Sequence, residues 1–176
     1  MWERADLSTY PGTVATRDDV GSWLEGGPSG EGRRGAGLGL PDEGSGSLAR
    51  LGRRVAALCV DWLLALAISA ALFPANQDAW FLARADSLVT LGIFAAENVL
   101  LVGLLGFGVG HRVLGMRVRR AGATPDGPLP DDGRAPGLGR AVVRTALLCL
   151  VVPAVVWDAE GRGMHDRLAG TALVRR

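Results

Sequence analysis

The chain has 176 residues, a net charge of +1 and 48% hydrophobic residues, with a mean hydropathy of +0.22 that is high for a sequence holding 26 glycines. All 19 basic residues are arginine, which excludes a Schiff-base lysine and a Walker-type phosphate-binding lysine. The only two cysteines, Cys59 and Cys149, fall inside apolar runs, so neither a disulfide framework nor a thiolate metal site is expected.

Residues 1–47 read as a disordered, Gly-rich, acidic tail. They carry four arginines against eight acids, and "GSWLEGGPSGEGRRGAGLGLPDEGSGS" has no hydrophobic period with which to offset ordering entropy. The start of the chain has no basic region, apolar core and cleavage site, so no cleaved signal peptide is expected. Residues 48–176 form the membrane domain.

Three apolar runs follow. Residues 55–73 form a 19-residue run with one charge, preceded by Arg50, Arg53 and Arg54 and followed by Pro74; that suffices to cross roughly 30 Å of hydrocarbon. Residues 88–107 form a second span of 20 residues, with Glu97 and Asn98 near its middle. The third run, 141–157, has only 17 residues, is flanked by Arg140, contains Arg144 and is interrupted by Pro153.

Arginine placement sets the orientation. Three arginines precede the first span and six lie in 110–140, whereas the connector "PANQDAWFLARADS" has one arginine and two aspartates. The tail and the 110–140 loop are therefore expected in the cytoplasm. "VLGMRVRR" and "GTALVRR" read as short strands. If they pair, both ends of the third run lie on one side and Pro153 breaks it into a re-entrant hairpin; otherwise the run spans.

The polar residues inside these runs are the candidate sites. A charge at the bilayer centre costs about 2.5–3.5 kcal/mol on insertion scales, so Asp61 needs a partner. Arg54 lies seven residues earlier on nearly the same helix face, about 10 Å along the axis, and Arg50 extends the stripe. The pair either pins helix depth and rotation or supplies an ion-binding carboxylate. Glu97 is either neutral or paired, with Arg144 as the expected partner. A polar core of Asp61, Glu97, Asn98 and Arg144 suits interhelical hydrogen bonding or proton-coupled transport.

"GLLGFGVGHRVLG" follows an apolar helix rather than a strand, which argues against a dinucleotide loop. Its Gly106 and Gly110 have the spacing of close helix approach, and leaving the membrane is an equal reason for them. In "GMHDRLAGT", Asp166 is expected to accept charge-assisted hydrogen bonds from arginines and His165 to cap or pack. His111 and His165 are the only histidines, too few for a metal site. No nucleophile–base grouping is legible, so neither a cofactor nor an enzymatic activity is expected. The basic loop, close to a membrane, points to anionic lipid headgroups and not to nucleic acid.

The segments "RRVAALCVDWLL", "GHRVLGMRVRR", "PGLGRAVVRTALL" and "GRGMHDRLAGTALV" together resemble the RDD family of bacterial integral membrane proteins, and the tail with "DLSTYPG" resembles its actinobacterial members. The resemblance covers residues 48–174. It implies a signature of Arg54 at the head of the first helix (with Arg53 as a substitute), Asp61 within it, and Asp166 in the C-terminal "HD" pair. It also implies either a sodium/proton antiporter or a small membrane accessory, since family members are described as both.

The expected fold is an all-α integral membrane protein: two transmembrane helices, a third Pro-containing apolar segment that is re-entrant or spanning, and a small cytoplasmic β element. The expected role is structural or accessory in the cytoplasmic membrane, beside a partner protein or in a homo-oligomer. The alternative is ion exchange at Asp61 and Glu97 in an oligomer.

Overall fold

The structure is a computed structural model that describes residues 35–124, 127–150 and 162–176. Most of the expected tail (1–34) and the Pro153 part of the third run (151–157) lie outside the described residues.

Helix α1, Leu51–Leu72, buries Arg54, Ala57, Asp61, Ala65 and Ser69, a three-to-four-residue recurrence that makes one stripe of the helix. The connector makes a 3-10 turn at Phe81–Arg84 and closes by pairing Pro74 with Ala85. Asp86 then caps the next helix, accepting the N–H groups of Leu88 and Val89 at 2.9 Å each. Helix α2 spans Ser87–Leu105 and widens over Asn98–Val102, where the buried Asn98 amide donates to the Phe94 carbonyl at 3.1 Å. Trp62 and Phe94 join α1 to α2 edge to face, centroids 5.4 Å apart.

At 22 and 19 residues the two helices are about 33 and 28 Å long, matching a bilayer core of roughly 30 Å. Their burial is inverted relative to a water-soluble core. Only 28% of each apolar window is buried. Val55, Leu58, Trp62, Leu63, Leu72, Leu88 and Leu100 are exposed, while Arg54, Asp61, Ser69, Thr90 and Asn98 are buried. A helix in water arranges itself the other way round.

Gly106, at φ 81°, ends α2 in the left-handed conformation that glycine adopts without strain. The chain then folds back as the short helix α3, Val109–Val113, against α1. Gly110 is required there, because a Cβ at that position would overlap the Ala57 carbonyl. Of the two reasons for these glycines, helix exit belongs to Gly106 and close approach to Gly110.

Strand β1, Met116–Arg120, is followed by a two-residue ladder of β2, Ala123–Thr124, with β3, Gly127–Pro128. Helix α4 is Leu138–Cys149 and α5 is Met164–Leu168; β4, Thr171–Arg175, closes the chain. The two expected strands do pair, antiparallel from Met116–Arg175 to Arg120–Thr171. At 12 residues, α4 is about 18 Å long, short of a full crossing.

The other edge of β4 is also paired. Gly46 N–H donates to the Arg175 carbonyl, Arg175 N–H to Ser47, and Ala49 N–H to Leu173, each at 2.9 Å. Leu38, Leu40 and Leu48 cover Ala121, Ala172 and Val174 on one face of the sheet. Leu173 on the other face joins Met116, Val118, Ala57, Val102 and Ala141. Leu38, Leu40 and residues 46–49 are therefore packed against the sheet rather than tail-like, while residues 41–45 between them are exposed. Three leucines are enough to anchor this stretch because the strand beneath has apolar side chains on both faces.

Candidate functional site

The polar residues of the apolar helices gather where α1, α2, α3, α4 and α5 meet, and they form two adjoining groups. The first centres on Asp166, which has no solvent exposure. Arg144 Nε donates to Asp166 Oδ1 at 2.7 Å and Arg54 Nη1 to Oδ2 at 3.2 Å. Thr171 Oγ1 donates to Oδ1 at 3.2 Å, and His165 Nε2 stands 3.7 Å from Oδ2. Arg54 also donates through Nε to the Ala49 carbonyl at 2.8 Å, which ties α1 to the strand-like segment before it. Burial alone would raise the Asp166 carboxyl; the Arg144 guanidinium, then His165 and Arg54, outweigh it and hold the group well below the usual carboxylate range.

His111 of α3 borders this group. It is buried, and its Nδ1 accepts the Gly108 N–H at 3.0 Å. Burial first, then the Arg144 guanidinium, pushes its pKa down to about 3, against a smaller opposing pull from Asp166. It is therefore a neutral imidazole in the folded protein.

The second group is a pair of carboxyls at the start of α3. Asp61 Oδ1 accepts the Gly110 N–H at 2.5 Å, and Glu97 Oε1 takes the Val109 N–H at 3.5 Å. The two side chains are electrostatic neighbours, and the Glu97 Oε2 oxygen is buried with no hydrogen-bond partner among the described residues. Each carboxyl comes from one of the long helices, and together they satisfy backbone donors that a helix start leaves unpaired. An acid is needed about 15 Å along α1 because a helix N-terminus folds back to that level.

Two expected pairings are corrected. Arg54 does not serve Asp61 along its own helix; it crosses to Asp166, because its guanidinium is nearer the sheet than the helix interior. Glu97 is not met by Arg144, which gives its Nε to Asp166; its neighbours are Asp61 and Val109. Asn98 is buried as expected but bonds within its own helix. Asp166 does accept from arginines, and His165 does pack beside it.

Sequence reasoning passed over His111 and Thr171. The signal was present: "HRVLG" before β1 and "HDRLAG" before β4 each place a histidine on a short helix that turns at a glycine into a strand. Among the described residues no group of three or more His, Cys, Asp or Glu side chains could hold a metal ion. The site offers a buried ion-pair network and, beside it, two neighbouring carboxyls at the start of α3.

No protein-family model matches the chain, and neither the curated proteins nor the solved structures gave a match.

Proposed function

We propose that this chain is a small integral protein of the cytoplasmic membrane, multi-pass with a cytoplasmic N-terminal tail, whose role is structural or accessory and non-enzymatic. The observation that carries the reading is the inverted burial of α1 and α2: leucines, valines and tryptophan face outward while arginine, aspartate and asparagine face inward. The packing supports the structural half of it. Arg54, Asp61 and Asp166, the residues on which the RDD resemblance rests, all hold parts of the fold together. Pairing of β1 with β4 returns both ends of the third run to one sheet, which favours a re-entrant course for it.

Cys59 provides the test. It is exposed on α1, five residues beyond Arg54. In native membranes a water-borne maleimide is expected to leave it unlabelled, since a thiol in lipid does not meet the reagent, and denaturation is expected to restore labelling. Rapid labelling in the native preparation, or release of the protein by alkaline carbonate, would refute the membrane reading. Affinity purification in mild detergent, expected to recover one reproducible membrane protein, addresses the accessory role.

A second reading is ion exchange, and the meeting of the Asp61 and Glu97 carboxyls at the start of α3 favours it. In that reading the pair releases its proton as a sodium ion arrives, within a homo-oligomer that completes the pathway. Liposomes containing the protein would show sodium-dependent proton flux, lost in Asp61→Asn. Equal flux in wild type and variant would eliminate this pair as the exchange site.

A further inference from the structure

Where α2 ends, Leu105, Gly106 and Phe107 form one wall of a small cavity of about 90 Å³ whose remaining lining includes Arg117, Val118, Gly133, Arg134 and Arg176. Three arginines therefore line one space. Arg117 is already engaged by Asp131, which the Arg119 guanidinium also approaches at 3.8 Å. Arg134 and Arg176 have no acidic partner among the described residues. Arg176 lies over the Phe107 ring at 5.4 Å, and Arg112 lies over the same ring at 5.7 Å. Positive charge thus accumulates around an aromatic side chain, and of Arg112, Arg117, Arg134 and Arg176 only Arg117 has a carboxylate partner among the described residues.

The position of this cavity matters as much as its charge. Val118 N–H donates to the Gly106 carbonyl at 2.7 Å, so the cavity sits where the last turn of an outward-facing apolar helix meets the polar sheet. Leu104 and Leu105, immediately above it, are exposed. On the membrane reading proposed above, on which this inference rests, that is the depth of lipid phosphates. A lipid seated there lays its acyl chains along Leu104 and Leu105 and its phosphate between Arg134 and Arg176. Guanidinium forks match phosphate oxygens in pairs, and basic pockets beside transmembrane helices on the cytoplasmic side take anionic headgroups.

We propose that the cavity lined by Phe107, Arg117, Arg134 and Arg176 is a binding site for the phosphate group of an anionic phospholipid. The volume accommodates a phosphate group. The free net charge of the arginines favours an acidic lipid over a zwitterionic one, whose ammonium they repel.

The test uses the full chain purified in a neutral detergent and titrated in turn with phosphatidylglycerol, phosphatidylcholine and inorganic phosphate, following the melting temperature and lipid adducts by native mass spectrometry. Phosphatidylglycerol is expected to raise the melting temperature and to leave one retained adduct; phosphatidylcholine is not. Arg134→Gln and Arg176→Gln are each expected to weaken phosphatidylglycerol binding about tenfold or more, as loss of a charge-assisted hydrogen bond requires, with unliganded melting unchanged. Arg84→Gln, in the connector at the opposite end of the helices, removes the same charge and is expected to bind as wild type. Equal loss in all three variants would mean a diffuse charge effect and would overturn the site. Inorganic phosphate competing as strongly as the lipid would overturn the lipid source, leaving a free-phosphate site. Failure of the membrane reading is registered separately, by Cys59 labelling in native membranes.

Discussion

Arg54 and Asp166 lie 112 residues apart in the chain and meet at 3.2 Å, while Arg144 holds the second oxygen of the same carboxylate at 2.7 Å. One acid thus balances two buried guanidiniums from two helices, and the three positions are not equivalent. Asp166→Ala leaves both cations without their shared anion and is expected to cost about 3–5 kcal/mol. Arg54→Met leaves the Arg144–Asp166 pair in place and is expected to cost distinctly less. Chemical denaturation in detergent gives the comparison, and equal losses from the two substitutions would contradict this hierarchy.

Gly110 against Ala57 gives a second contrast. Gly110→Ala forces its new carbon into the Ala57 carbonyl, and because the obstacle is backbone, α1 or α3 must move. The expected loss is about 1–3 kcal/mol, the usual cost of overpacking. Gly92, on α2, has nothing within 4 Å of an added Cβ and an ordinary helical backbone. Gly92→Ala is expected to be neutral or to stabilise by up to about 1 kcal/mol. Melting temperatures of the two purified variants should move in opposite directions or differ clearly in size.

The same two features mark how far the sequence could be read. The long helices were legible because length and hydropathy are local properties, and their observed bounds differ from the expected runs by only a few residues. The strand pairing was legible as a condition, since alternation identifies strands but not their partners. The pairing of Arg54 was not legible. Helical spacing offered Asp61 as the nearest acid on the same face, whereas the actual partner depends on where α5 docks. Leu38, Leu40 and Leu48 were hidden for a similar reason: scattered leucines in a glycine-rich stretch carry no period, and their burial depends on a strand more than 120 residues further on.

Asp61 offers a separation between structure and transport. Its Oδ1 caps the start of α3 through the Gly110 N–H. Asp61→Asn retains an acceptor oxygen and is expected to keep most of the stability, while Asp61→Ala leaves the donor unpaired and is expected to lose about 0.5–2 kcal/mol, the range of a lost helix cap. Asparagine cannot release a proton, so a wild-type-like stability in Asp61→Asn accompanied by lost ion flux would assign the carboxyl to exchange. Infrared spectroscopy checks the exchange reading: in it a protonated carboxyl band present in wild type disappears in Glu97→Gln.

His111 sets the pH dependence above the carboxylate range. Its folded pKa is lowered to about 3, whereas an unfolded histidine titrates near pH 6.5. The folded form therefore binds fewer protons, and the stability is complete above about pH 6.5 and declines as the pH falls from there towards 3. Protonation of the unfolded chain alone makes the loss about 2 kcal/mol at pH 5. Asp166 acts in a lower window: its depressed pKa gives stability that is present above the unfolded value near pH 3.9 and is lost as the pH falls below it. The groups acting on His111 are Arg144, Asp166, Arg54 and His165, so the test replaces the imidazole and leaves those in place. His111→Asn keeps an acceptor for the Gly108 N–H but cannot titrate. Denaturation at pH 7.5 and pH 5 is expected to show the wild type losing about 2 kcal/mol between them and the variant less than half of that. A variant that keeps the full wild-type slope would place the responsible group elsewhere.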